Sequence, residues 1–135
     1  MQSAMSRMWV RNTQYIAILF LSMLSACGVD HAQDTPPKVW KDMEVRVETR
    51  PSPPHAGMTE FLVMLTSRTG RPGDDYMVSV RTSDQDAWKW AVQDGRMGIF
   101  RRAAELAPGE RSVLQIQLKH KGEESVLRFP FNLKP

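Results

Sequence analysis

The residue with the most distinctive chemistry is Cys27, the only cysteine of the 135-residue chain. It follows the apolar run IAILFLSML, residues 16–24, and two small residues. The residues before that run include Arg7 and Arg11 and no acidic side chain. A basic start, a short apolar core and small residues before a cleavage point are the layout of a secretory signal peptide. The core is shorter than the roughly 20 residues of a membrane-spanning helix, so we expect residues 1–26 to be a signal peptide.

The four residues LSAC, 24–27, resemble the lipobox of bacterial lipoproteins, in which a Leu and two small residues precede an invariant Cys. The resemblance implies a diacylglycerol group on the Cys27 sulfur, cleavage before Cys27 and acylation of the new amino group. Several acyl chains anchor firmly, because each buried methylene contributes about 0.8 kcal/mol. Gly28 stands where an Asp tends to retain Gram-negative lipoproteins at the inner membrane. We therefore expect an outer-membrane anchor facing the periplasm, with the inner membrane as the alternative.

Sulfur and imidazole side chains form a second candidate site. Thioether and imidazole groups suit copper, and His55 and Met58 lie three residues apart in the segment HAGM. This spacing allows both to reach one ion, with Met97 or His120 as further donors. A periplasmic copper-binding protein or metallochaperone is therefore the alternative function. The plainer interpretation of His55 is an ordinary loop residue.

Aromatic and basic residues form a third candidate site. They are Trp88, Trp90, Arg101 and Arg102. Because Trp and Arg are enriched at binding hot spots, we predict that these residues contact a protein partner. An extended segment would place both indoles on one face, whereas a helix would separate them by roughly 200° and bury at least one. The plainer alternative is that one Trp fills the core and that an arginine pairs with an acid such as Asp94 or Glu105.

The rest of the composition favours a small binding domain over an enzyme or a nucleic-acid binder. No GxSxG or HExxH motif is present, and no acid, base and nucleophile can be assembled, so we predict no enzymatic activity and no required cofactor. Without residues 1–26 the chain has 109 residues, of which 16 are basic and 15 acidic. A net charge of +1 does not support nucleic-acid binding. This length suits one domain, whose core must hold without an internal disulfide.

Short segments of alternating polarity, separated by turns, follow a polar tether. Alternation at period two is typical of half-buried strands. The segments are EVRVETR (44–50), TEFLVMLTS (59–67), YMVSVRT (76–82), GIFRRAAEL (98–106), SVLQIQLK (112–119) and VLRFPFNL (126–133). Pro130 predicts an edge position for the last strand, and residues 83–95 carry the cap and stop signals of a short helix. We predict an all-β fold, an Ig-like antiparallel β-sandwich of six to seven strands over 42–135, behind a tether over 27–41.

Several of these segments resemble the YtkA-like family, which includes FixH-like proteins. The carriers are PPHAGMTEFLVMLTSRTGRP (53–72), GIFRRAAEL, SVLQIQL and LRFPFNL. The resemblance covers roughly residues 44–133 and implies a membrane-anchored Ig-like sandwich facing the periplasm. Some members of this group are linked to copper delivery or to the assembly of respiratory oxidases. They tend to show clustered Met and His at mid-domain, where this chain has WKWAVQDGRMG.

Overall fold

The computed structural model describes residues 35–95, 97–109 and 112–133. The predicted signal peptide, 1–26, and the predicted lipidation site, Cys27, lie outside the described residues. Across these three ranges there is no helix with the length and apolar character needed to cross a membrane.

Two antiparallel sheets contain all nine strands of the described ranges. The strands are β1 (Lys38–Trp40), β2 (Met43–Arg50), β3 (Gly57–Ser67), β4 (Met77–Arg81), β5 (Lys89–Trp90), β6 (Val92–Gln93), β7 (Ile99–Leu106), β8 (Ser112–His120) and β9 (Glu123–Phe131). Sheet A has the order β1-β2-β3-β7-β6, and sheet B has the order β5-β4-β8-β9. The order β2-β3-β7-β6 corresponds to strands A, B, E and D of the immunoglobulin fold, and β4-β8-β9 corresponds to strands C, F and G. The predicted sandwich is confirmed, and the strands beyond the predicted six, β1, β5 and β6, have only two or three residues.

The core is built from alternate residues of the long strands. In β2 every second side chain, from Met43 to Thr49, is buried, while most of those between are exposed. In β8 the inward residues Leu114, Ile116 and Leu118 are fully buried, as the alternation predicts. Each such side chain contributes about 1.5–3 kcal/mol when it leaves water. The last strand, β9, lies at the edge of sheet B, which confirms the position predicted from Pro130.

The predicted tether, 27–41, includes residues that belong to the sheet. Lys38–Trp40 form β1, and Trp40 pairs with Met43 of β2. The side chain of Trp40 packs against the core, and this apolar burial explains why the chain joins the sheet before residue 42.

The predicted short helix over residues 83–95 is wrong, because this segment forms a turn and two short strands. Asp86 donates its N–H to the carbonyl of Ser83, 3.2 Å away, and the turn ends there. The chain then pairs with the open edges of β4 and β7, which satisfies its backbone groups without a helix. Gly95, predicted as a helix stop, has a φ of +52° and lies in the turn between β6 and β7.

Strand β3 sets the length of the sandwich and separates its two ends. Its 11 residues span roughly 33 Å at strand geometry. The loop with His55 precedes its first residue, and we call this the His55 end. At its last residue, Trp40, Tyr76 and His120 lie together: Tyr76 is 6.0 Å from Trp40 and 4.1 Å from His120, measured between ring centroids. We call this the His120 end.

Candidate protein-binding site

The chain crosses from sheet B to sheet A in the segment that carries the tryptophans. Trp90 pairs with β4 in sheet B, and Val92 pairs with Arg101 of β7 in sheet A. Between them Ala91 donates its N–H to a β4 carbonyl at 2.9 Å and packs against the core. We call residues 88–94 the switch segment. The crossing places consecutive residues on different surfaces, so sequence neighbours here need not share a site.

The segment that carries Trp88 and Trp90 is extended and not helical. Trp90 lies in β5 opposite Ser79, and Trp88, two residues earlier, contacts Arg81, so both side chains share the outer face of sheet B. The guanidinium carbon of Arg81 lies 4.3 Å from the centroid of the Trp88 ring, a cation–π contact. Trp90 is 58% exposed. Neither Trp88 nor Trp90 belongs to the core, whereas Trp40 packs against it, so the alternative of one core Trp fits Trp40.

A polar network beneath Trp88 fixes the Arg81 side chain. Arg81 Nε donates to Gln115 Oε1 at 3.0 Å, and Gln115 Nε2 donates to Asp84 Oδ1 at 2.6 Å. Gln115 alternates with the inward residues of β8 and faces outward, but it is only 3% exposed. The hydrogen bond from Gln115, with smaller contributions from Arg128 and Arg81, holds the pKa of Asp84 below its usual value against an opposing effect of burial. Trp88 therefore contacts an Arg81 side chain whose position is fixed by Gln115, which is itself bonded to Asp84.

Arg101 is satisfied within the protein. Its Nη2 donates to Asp94 Oδ2 at 2.7 Å, and its Nε lies 3.2 Å from Glu60 Oε1. The second contact is an ion pair and not a hydrogen bond, because no acceptor lies along the N–H direction of this buried nitrogen. The predicted pairing with Asp94 is confirmed. Because Asp94 follows β6 and Glu60 lies in β3, Arg101 in β7 links β6 to the other strands of sheet A.

Arg102 in β7 and Lys89 in β5 occupy strand positions whose side chains point toward the space between the two sheets. Arg102 shares its face with buried Phe100 and Ala104, and Lys89 pairs with buried Val80. Arg102 is nevertheless exposed and Lys89 half-buried. Among the described residues, neither has an ion-pair partner. Both charges are therefore available to a ligand.

A cleft of about 520 Å³ joins these two cations to the switch segment. Its lining residues are Met58, Glu60, Lys89, Val92, Gln93, Asp94, Arg101, Arg102 and Ala103. Met58 and Val92 are each 67% exposed. The cleft thus combines apolar surface with two uncompensated positive charges. Of the predicted partner-binding residues, Arg101 and Arg102 line it, whereas Trp88 and Trp90 lie on the adjoining outer face of sheet B.

The candidate copper ligands lie at the His55 end. His55 and Met58 are both exposed, His55 in the loop and Met58 in β3. The further donor His120 is at the opposite end, roughly 30 Å away along β3. Met97 precedes Gly98, whose carbonyl accepts a hydrogen bond from Leu65 near that same distant end. The structure therefore does not bring Met97 or His120 to His55 and Met58. In the described ranges, no three His, Cys, Asp or Glu side chains form a metal-binding group.

A cluster at the His120 end was not predicted from the sequence. His120 Nε2 lies 2.6 Å from Asp75 Oδ2, and the imidazole stacks on Tyr76 with the rings 1° from parallel. The hydrogen bond with His120 is the main cause that lowers the pKa of Asp75. Asp75 and His120 are 45 residues apart, so only the pairing of β4 with β8 brings them together. These contacts join the residues just before β4 to the last residue of β8.

Comparison with models of known protein families finds no match. Comparison with curated proteins finds none, and comparison with solved structures finds none. The resemblances to lipoproteins and to the YtkA-like family therefore stay predictions, and the site has to be interpreted from its own geometry.

Proposed function

We propose that this protein is a non-catalytic binding module that serves an envelope or respiratory complex as an accessory or assembly factor. Acyl chains on Cys27 would hold it at the outer membrane, facing the periplasm, with the inner membrane as the alternative. The observation that carries the proposal is the exposure of Trp90 and Val92 on either side of the strand crossing. Large apolar side chains rimmed by uncompensated cations are typical of protein-binding surfaces.

The contact surface consists of Trp90, Val92 and the cleft cations Lys89 and Arg102. Trp90 offers a large apolar area on a short, paired strand, so little conformational entropy is lost when it docks. Arg101 is excluded from this set, because its charge is shared between Asp94 and Glu60. Trp88 supports the surface from the side through its contact with Arg81.

The test is cross-linking and co-purification from intact cells that produce the full chain. We expect Trp90→Ala and Arg102→Gln each to remove a co-purifying envelope protein. The matched controls are Val126→Ala, 44% exposed on the far edge of the same sheet, and Arg68→Gln, an exposed arginine at the His120 end. Both controls should leave the partner bound. Equal recovery of partners from all four variants would contradict the proposal.

The anchor is tested separately from the binding surface. Cys27→Ser removes the sulfur that would carry the diacylglycerol, so the protein should move from the membrane fraction to the soluble periplasmic fraction. Labelled palmitate should be incorporated into the parent chain and not into this variant. Membrane association that survives Cys27→Ser would contradict acyl anchoring.

Copper binding is the second candidate, and the exposure of both His55 and Met58 on one short segment favours it. A competition titration with Cu(I) and Cu(II) decides between the two functions. Stoichiometric tight binding that falls by orders of magnitude in a His55→Ala, Met58→Leu double variant would support metal delivery. Weak binding that the double variant leaves unchanged would remove this candidate.

A further inference from the structure

The free edge of β7 begins beyond the point where the chain enters sheet A at Val92. Asp94 donates its N–H to the carbonyl of Ile99 at 2.9 Å, so the odd-numbered residues of β7 direct their backbone groups toward β6. Val92 pairs with Arg101, the next residue of that series. The residues before Val92 belong to sheet B, because the chain crosses from sheet B to sheet A at Ala91, and no described strand continues beside Ala103.

The opening beside Ala103 is limited on both sides. The carbonyl of Glu105 accepts a hydrogen bond from Thr82 Oγ1 at 2.6 Å, which closes the edge beyond it. Ala103 therefore presents one N–H and one C=O between two occupied positions. Ala103 is exposed, so these two groups are accessible to another chain, and an edge of this kind is a template for one extended segment.

The surroundings of this opening select the chemistry of such a segment. On the Ala103 face, Met58 and Val92 offer apolar surface and are each 67% exposed. On the opposite face of β7, Arg102 and Lys89 offer two positive charges that no described carboxylate neutralises. Side chains of an extended segment alternate between these two faces.

We propose that the cleft binds an extended acidic segment of the partner protein, in which acidic residues alternate with apolar ones. The segment pairs with β7 beyond Val92 of β6 and exchanges two backbone hydrogen bonds with Ala103. Its carboxylates lie against Arg102 and Lys89, and its apolar side chains lie against Met58 and Val92. This inference rests on the proposed function and deepens it by stating the chemistry of the partner.

Edge protection is the simpler role of the same cations. Inward-pointing charges discourage the pairing of stray strands at a sheet edge. That role predicts no preference for an acidic segment, whereas the proposal predicts selection of acidic segments and rejection of neutral ones.

The experiment is a titration of the full chain, isotopically labelled and purified in detergent, followed by amide chemical shifts. The probe is a capped pentapeptide that alternates valine and aspartate, and the matched peptide has asparagine in place of aspartate. We expect saturable shifts at the Ala103 amide, at least tenfold weaker affinity for the asparagine peptide, and weaker binding as salt is raised. Arg102→Gln and Lys89→Gln should each weaken binding severalfold, while Arg68→Gln should not.

Several outcomes would overturn the inference. Equal affinity for the two peptides would leave only edge protection, and inorganic phosphate binding as tightly as the aspartate peptide would leave only a simple anion site. Shifts confined to residues outside the cleft would place binding elsewhere. If these failures occurred while Trp90→Ala still removed the cellular partner, the proposed function would stand and the inference about the cleft would fall. If every variant kept its cellular partners while the aspartate peptide still bound the cleft, the proposed function would fall and the peptide-binding chemistry of the cleft would stand.

Discussion

Gly98 holds the turn between β6 and β7 against β3, and we expect Gly98→Ala to be strongly destabilising. Its φ is +81°, in the left-handed region that L residues avoid. A Cβ at this position would lie 2.7 Å from the carbonyl oxygen of Leu65 and 3.0 Å from Pro72 Cβ. The first of these atoms is backbone and cannot rotate away. The Gly98 carbonyl also accepts the Leu65 N–H at 2.8 Å, so a shift of the turn would weaken that bond.

Gly70 provides a control with nearly the same φ and no steric conflict. Its φ is +82°, and a Cβ there would meet nothing within 4 Å. The left-handed conformation costs an L residue about 1–2 kcal/mol, so Gly70→Ala should lower the free energy of unfolding by that amount. Gly98→Ala adds an overpacking cost of about 1–3 kcal/mol. The difference between the two variants therefore isolates the contact with Leu65 and Pro72.

Urea denaturation of both variants, analysed with a common m-value, measures this difference. Equal losses for Gly98→Ala and Gly70→Ala would refute the reasoning, because they would show that the turn relaxes away from β3 at no cost. A changed m-value would instead indicate a change in the compactness of the denatured or native state, or a loss of two-state behaviour. Since the turn positions β6, the Gly98 variant should also weaken peptide binding in the cleft, and the Gly70 variant should not.

Three further substitutions probe the electrostatic contacts. The pKa of Asp75 is lowered from 3.8 by its hydrogen bond with His120, so the stability it contributes is complete above that value and is lost as pH falls through the folded pKa. Asp75→Asn should flatten the fall of unfolding free energy in urea titrations below about pH 4. Gln115→Leu should raise the pKa of Asp84 toward its usual value in an NMR titration, and an unchanged pKa would contradict the assigned cause. Arg101→Ala should cost only about 1 kcal/mol in thermal unfolding, because the ion pairs are partly screened by solvent.

The long strands could be predicted from the sequence because alternation is a local signal. Val45 and Val47 in β2, or Leu114 and Ile116 in β8, repeat at period two for long enough to indicate which face is buried. The two-residue strands β5 and β6 have no such repeat. They form because β4 and β7 offer open edges, which is a tertiary cause that a turn-rich segment does not reveal.

The candidate site was predicted only in part, for the same reason. Trp88, Trp90, Arg101 and Arg102 are close in sequence and were predicted as one surface. The crossing at Ala91 assigns the tryptophans to sheet B and the arginines to sheet A. Alternation within β7 then gives its two neighbouring arginines opposite directions, so that one is paired and the other is available.

Residues that build this surface differ from residues that can bind a ligand in one respect. The former already have interaction partners within the protein, and the latter do not. Arg101 has two carboxylate partners, and the indole of Trp88 has a guanidinium stacked on it, so a new ligand would have to replace existing contacts at either residue. Trp90 and Arg102 have no comparable partner among the described residues, and contact with a ligand adds interactions without removing any. Because a net gain of this kind is what drives association, substitutions at Trp90 and Arg102 should affect binding with little effect on folding. Substitution of Arg101 should instead affect folding more than binding, because its main role is to hold β6 in place.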